Sequence, residues 1–223
     1  MTAAVTPAKE PTMLKSCAAF ASTLTGITMM ALAISSASAR SLSISNQTFR
    51  AVWNPVTLAE PLGGTVSCPM TLEGSLHSRT IAKVSYALIG YITRALSGVP
   101  ASCTGGEMTI LQETLPWHVR YFGFSGTLPN IAAVMTLVSG GGIRIRGPNG
   151  SCLITLRENT AEHGLVSLDR NVTTEQLTSA GFSGSITSND ACAFGLRVRF
   201  TFSGTSVRFS LLDSTALIFV RLI

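Results

Sequence analysis

Apolar and polar residues alternate one for one along much of this chain, and that pattern restricts its fold more than anything else in it. Val66, Cys68, Met70 and Leu72 alternate with Thr65, Ser67, Pro69 and Thr71; Trp117, Val119 and Tyr121 alternate with His118, Arg120 and Phe122. Ile143 and Ile145 alternate with Arg144 and Arg146, and Val198, Phe200 and Phe202 with Arg197, Arg199 and Thr201. Val207, Phe209 and Leu211 continue the pattern, and Ala216 to Leu222 is a nearly continuous apolar run. Successive side chains of a strand point to opposite faces, so these segments read as half-buried strands. Gly147-Pro148-Asn149-Gly150, followed by Cys152, Ile154 and Leu156, marks a hairpin, because Asn-Gly accepts the positive φ angles of a tight turn. Pro69 has no amide to donate, which puts its strand at an edge or turns that position outward.

One stretch departs from the two-residue period. Ile81, Val84, Leu88, Tyr91, Ile92 and Ala95 fall on one helical stripe, with Ser78 or Thr80 to cap it and Gly98 and Pro100 to stop it. A helix is expected over 80–96. Residues 159–180 read as a polar loop with a short helix around Thr173 to Leu177. The expected fold is therefore mainly β, an antiparallel sandwich or flattened barrel of about 8–10 strands with one packed helix.

Residues 13–39 carry an address. Lys15 precedes an uncharged run from Ala18 to Ile34, and Ala37-Ser38-Ala39 supplies small residues before Arg40. This is a signal-peptide pattern with cleavage after Ala39 and Met13 as an alternative start; the run is too short and polar for a membrane span. Residues 40–223 would form one secreted domain with no transmembrane span. Without Lys9, Lys15 and Glu10 it keeps 14 basic and 10 acidic residues, a net charge of +4. That mild charge permits attraction to an anionic envelope polymer and gives little support to nucleic-acid binding.

Four cysteines remain, and an even number in an exported chain reads as two disulfides with three possible connectivities. Ser67-Cys68-Pro69-Met70-Thr71-Leu72 resembles Ser151-Cys152-Leu153-Ile154-Thr155-Leu156. This suggests two related halves, about 60–140 and 141–223, each stapled by its own bridge: Cys68–Cys103 and Cys152–Cys192. No cysteine pair has zinc-ligand spacing and His77, His118 and His163 are scattered, so neither a metal nor a cofactor is expected. A second repeat, Phe-Ser-Gly at 124, 182 and 202, reads as a strand-end bulge signal.

The strings Cys68-Pro69-Met70-Thr71-Leu72-Glu73-Gly74-Ser75-Leu76-His77-Ser78-Arg79-Thr80-Ile81, Gly90-Tyr91-Ile92-Thr93-Arg94, Cys103-Thr104-Gly105-Gly106 and Leu115-Pro116-Trp117-His118-Val119-Arg120-Tyr121 make the chain similar to a group of small secreted β-rich proteins of actinobacteria. The resemblance covers roughly residues 65–200. It implies a secreted bacterial setting and brings no activity, substrate or catalytic residue with it.

Candidate chemistry is sparse. Gly123-Phe124-Ser125-Gly126 and Gly181-Phe182-Ser183-Gly184 lack the spacing of a nucleophile elbow. A glycoside hydrolase needs two facing carboxylates, and the one grouping that could supply them with a base is Glu73, His77, Glu113 and His118. Trp117 and Arg120 could present a ring and a charge to a sugar, although such an alternation more often buries Trp117 and Tyr121 in the core. Arg144, Arg146, Arg197 and Arg199 could meet phosphates or carboxylates bidentately; their ordinary use is to keep a sheet face soluble. The leading expectation is a secreted non-enzymatic protein with a binding or structural role at the cell envelope. The alternative is a carrier of an apolar ligand in a β-enclosed cavity lined by Phe124, Phe200, Phe202 and Phe209. A polysaccharide-acting hydrolase is the lesser alternative.

Overall fold

The structure, a computed structural model, describes residues 41–60, 64–147, 150–156, 164–189 and 199–223. Its strands in chain order are β1 (Ser41–Ile44), β2 (Thr48–Ala59), β3 (Thr65–Leu76), β4 (Thr80–Ala82), β5 (Leu88–Ser97), β6 (Glu107–Ile110), β7 (Trp117–Thr127), β8 (Asn130–Ser139), β9 (Gly142–Gly147), β10 (Gly150–Thr155), β11 (Gly164–Arg170), β12 (Leu177–Thr187), β13 (Arg199–Ser210) and β14 (Val220–Leu222). Short 3₁₀ turns occur at Pro100–Ser102 and Gln112–Thr114.

Eight strands close into an antiparallel barrel in the order β11–β12–β13–β2–β3–β5–β7–β8, with β8 pairing back onto β11. Of the two architectures that the alternation allows, the chain adopts the barrel. Trp53, Val56 and Leu58 of β2, Val66, Cys68, Met70 and Leu72 of β3, Val119 and Tyr121 of β7, and Phe182 and Phe202 of β12 and β13 are buried on its inner wall. Thr93, Arg94, Arg199, Thr201, Ser203 and Arg208 are exposed outside. This is the reverse of an outer-membrane barrel, whose outer band is apolar and whose lumen is polar. Separately, no helix among the described residues is long and apolar enough to cross a membrane.

Two three-stranded sheets cover the barrel ends. The sheet β14–β1–β4 lies where β2 begins and β3 finishes, and it buries Leu42, Ile44, Ile81 and Val220. The sheet β10–β9–β6 lies at the other end, where Ile145 and Cys152 meet Leu58, Val66 and Phe200. The expected hairpin is there, in register from Gly147↔Gly150 to Ile143↔Ile154.

The helix expected over 80–96 does not form; β4 and β5 occupy that stretch. Two bulges account for the misreading. Pairing with β3 runs Glu73↔Arg94 and then Gly74↔Ile92, skipping Thr93, while pairing with β7 runs Leu88↔Arg120 and then Gly90↔Val119, skipping Ile89. The extra residues interrupt the two-residue period: of the expected stripe, Ile81, Ile92 and Ala95 are buried, Leu88 and Tyr91 are half-buried and Val84 is exposed, while Ile89, which is not on it, is buried. Residues 164–170 and 177–180, read as loop, are parts of β11 and β12. The expected short helix near 173 is a turn, in which the amides of Thr173 and Thr174 donate to Asn171 Oδ1, each at 2.9 Å. An Asn side chain in that role competes with helix formation.

Pro69 does not mark an edge, since β3 pairs on both sides. Trp53↔Met70 is followed by Val56↔Cys68, so Asn54 and Pro55 bulge opposite Pro69, where the ladder asks for no proline amide. Two copies of Phe-Ser-Gly face each other across β12 and β13, pairing Phe182↔Gly204, Ser183↔Ser203 and Gly184↔Phe202. Each ring lies beside a glycine of the next strand, a common way of covering a bare backbone with an aromatic. A third glycine, Gly164, lies under the Phe182 ring so closely that a Cβ there would come within 2.8 Å of it.

The disulfide Cys68–Cys103 is formed, spanning 35 residues. Cys192, the expected partner of Cys152, lies outside the described residues. The two similar six-residue strings occupy different sheets, Cys68 in the barrel wall and Cys152 in the small sheet.

Candidate functional site

The sequence-derived candidates lie mainly on the outside of the barrel. Glu73, on the outer face of β3, takes Arg50 Nε at 2.8 Å from β2 and Arg94 Nη1 at 3.2 Å from β5. The register puts these three residues side by side across adjacent strands, so the carboxylate is engaged by two cations. His77, exposed just past β3, and His118, half-buried on β7, flank Tyr91, with ring centroids 4.9 and 5.6 Å from it. Glu113 is exposed in the 3₁₀ turn Gln112–Thr114. The chain thus brings His77 and His118 to one tyrosine, and none of the four lines the cavity described below. Among the described residues no three His, Cys, Asp or Glu side chains gather as a metal site requires.

Trp117 is 1% exposed and donates its indole N–H to Thr114 Oγ1 at 2.9 Å. It offers no face to a sugar ring; it is a post of the core, seated on Gly141. Arg120 Nη1 donates to the Tyr86 carbonyl at 3.0 Å. Burial raises the phenol pKa of neighbouring Tyr121 above its ordinary 10.0, because the low-polarity inner wall disfavours the anion. Arg144 and Arg146 are exposed on β9, with Arg146 3.9 Å from Glu107. Arg199, on β13 in the barrel wall, is bonded to the Ser185 hydroxyl. The described arginines therefore lie on two different sheets rather than on one face; Arg197 lies outside the described residues.

The feature with a built interior is a cavity of about 50 Å³ between the barrel and the cap β14–β1–β4. The cap lines it with Leu42, Ile44, Ile81 and Val220, and the barrel with Phe49, Ala51, Trp53, Leu72, Ile92, Val134, Val166 and Phe209 among others. Phe49 and Phe209 stack with centroids 5.8 Å apart. One water needs about 10–15 Å³ by this measure, so the space would hold about four. The walls offer water almost nothing. Thr136 donates its hydroxyl to the Val166 carbonyl at 3.2 Å, and Asn46 Oδ1 already accepts from the Thr48 amide and hydroxyl. Such a space favours an apolar occupant. Asn46, Phe49, Leu76 and Leu168 are the half-buried lining residues and mark its rim.

Of the four phenylalanines expected to line a cavity, Phe209 does. Phe202 packs edge-on against Phe182, Phe200 lies at the far end of the barrel, and Phe124 lies with the Lys83 amine 5.5 Å from its ring centroid. Alternation gives the face of a strand a residue points from, not the barrel end it reaches.

Arg170 had no signature in the sequence. Its side chain is 4% exposed at the end of β11. Nε donates to the Val220 carbonyl at 2.6 Å, Nη1 to the Ile131 carbonyl at 2.9 Å, and Nη2 to Glu175 Oε1 at 2.9 Å. One guanidinium thus joins the cap strand β14 to β8 and to the β11–β12 turn. Two backbone bonds reinforce this seam, Val220 N–H to Glu175 O and Leu177 N–H to Ile218 O. Comparison of the chain with family models, with curated proteins and with solved structures finds no match, so its function has to be argued from its own geometry.

Proposed function

We propose that this chain is an exported, non-enzymatic binding protein that takes a small apolar group, or the end of a slender chain, into the capped end of its barrel. The apolar cavity beneath the cap carries the reading. An eight-stranded barrel encloses either a packed core or room for one small ligand, and here the aromatics Trp53, Phe182 and Phe202 pack together while apolar space remains beneath the cap.

A series of straight-chain alcohols from butanol to octanol tests it, with Trp53 emission as the reporter because the indole lines the cavity. Affinity is expected to rise about fourfold per methylene, corresponding to about 0.8 kcal/mol per buried CH₂, and to level off once the space is full. Ala51→Leu, which fills the cavity from β2, should abolish the rise. No saturable binding across the series, or equal binding by the variant, overturns the reading.

Export is part of the same proposal. β1 begins at Ser41, so a chain trimmed after Ala39 keeps the whole cap. The mature protein recovered outside the cytoplasm should begin at Arg40; retention of residues 13–39 would refute this. In that oxidising setting a second bridge, Cys152–Cys192, is expected beside Cys68–Cys103.

A further inference from the structure

We infer that the occupant of the cavity is a single-chain amphiphile with an anionic head, its tail beneath the cap and its head at the β3–β4 turn. The inference rests on the cavity reading above and adds the head group to it. Leu76 and Ile81 both line the cavity, so residues 77–80, which join them, run along its rim. His77 and Arg79 are exposed on that turn, and the Arg79 carbonyl accepts from the amide of Ile44, another lining residue, at 2.8 Å. A tail in the cavity would bring its polar end out beside these side chains.

Positive charge predominates at this end. The cap strands themselves contain no Asp or Glu, and around them stand Arg50, Arg79, Lys83, Arg94 and Arg221 against Asp213 in the loop before β14 and Asp169, which the Ser167 and Ser179 hydroxyls engage. Arg50 and Arg94 share Glu73. Glu175, the carboxylate beside β14, is held by Arg170. Arg79, Lys83 and Arg221 have no ion-pair partner among the described residues, and Arg79 and Arg221 are exposed. Such an edge attracts an anion and repels a cation. A basic rim above a wall with almost no free polar group matches a carboxylate or phosphate ester on an alkyl chain.

The test compares hexanoate, hexan-1-ol and hexylamine on the mature protein, with Trp53 emission as the readout. These share a tail and differ in head charge. At low ionic strength hexanoate should bind about tenfold more tightly than hexylamine, with hexan-1-ol between them. The gap should narrow as salt is added, because exposed charges are screened. Arg79→Gln with Arg221→Gln, both at exposed positions, should remove the preference and leave hexan-1-ol binding unchanged. Equal or tighter binding of hexylamine, or a preference that survives in the double variant, overturns the anionic head while the cavity reading stands. If none of the three binds, the cavity reading itself falls.

Discussion

Replacing Arg170 with methionine is expected to lower the unfolding free energy by about 3–4 kcal/mol. The substitution keeps much of the apolar stem but removes three donors. It leaves the buried carbonyls of Val220 and Ile131 unpaired, and each such loss costs about 1–3 kcal/mol. For a domain of this size that is a fall in Tm of roughly 10 °C. Arg170→Lys should recover only part of the loss, since one ammonium does not reproduce a planar fork reaching three partners. Glu175→Gln should cost under about 1 kcal/mol, because that carboxylate is 43% exposed and its pairing is partly screened. Urea unfolding of the three variants checks the order, and hydrogen exchange at the Val220 amide should report loosening of the cap before global unfolding. If Arg170→Met and Glu175→Gln cost the same, the carbonyl contacts are not what holds the seam.

Removing the Cys68–Cys103 bridge is expected to cost a similar amount, about 3–4 kcal/mol. The bond closes 35 residues, and the chain-entropy model assigns that much to a loop of this length. It fastens the segment after β5 against the wall of β3, where Thr104 and Ser67 also exchange backbone bonds at 2.8 and 2.9 Å and Gly98 N–H donates to the Pro69 carbonyl. Cys68→Ala with Cys103→Ala should shift the urea midpoint down by the corresponding amount. Those backbone bonds should keep the loop near its place in the folded variant. Peptide mapping without reduction should recover Cys68 joined to Cys103; Cys68 joined to any other cysteine would contradict the fold.

Neither effect could be weighed from the sequence to the same degree. The bridge was legible, because an even number of cysteines after a signal-peptide pattern and a repeated motif around two of them suggest which pairs with which. Arg170 was not. An arginine in a polar stretch looks like a solvated side chain, and its burial depends on β8, β14 and the 171–176 turn meeting at one point, segments up to 89 residues apart in the chain.

By itself the sequence determined the class of the fold and most inner faces. Strict alternation at 65–72, 117–121 and 143–146 can bury one side of a strand only, and Trp117, Tyr121, Ile143 and Ile145 are inside for that reason. It went astray at 80–96, where bulges at Ile89 and Thr93 interrupted the two-residue period; a bulge belongs to the pairing of two strands, so one strand's sequence does not announce it. The tertiary structure alone decided that the sheet closes into a barrel, that β1, β4 and β14 cover one end, and that apolar space remains beneath them. Those three outcomes depend on which distant strands become neighbours, and residue order does not encode that adjacency locally.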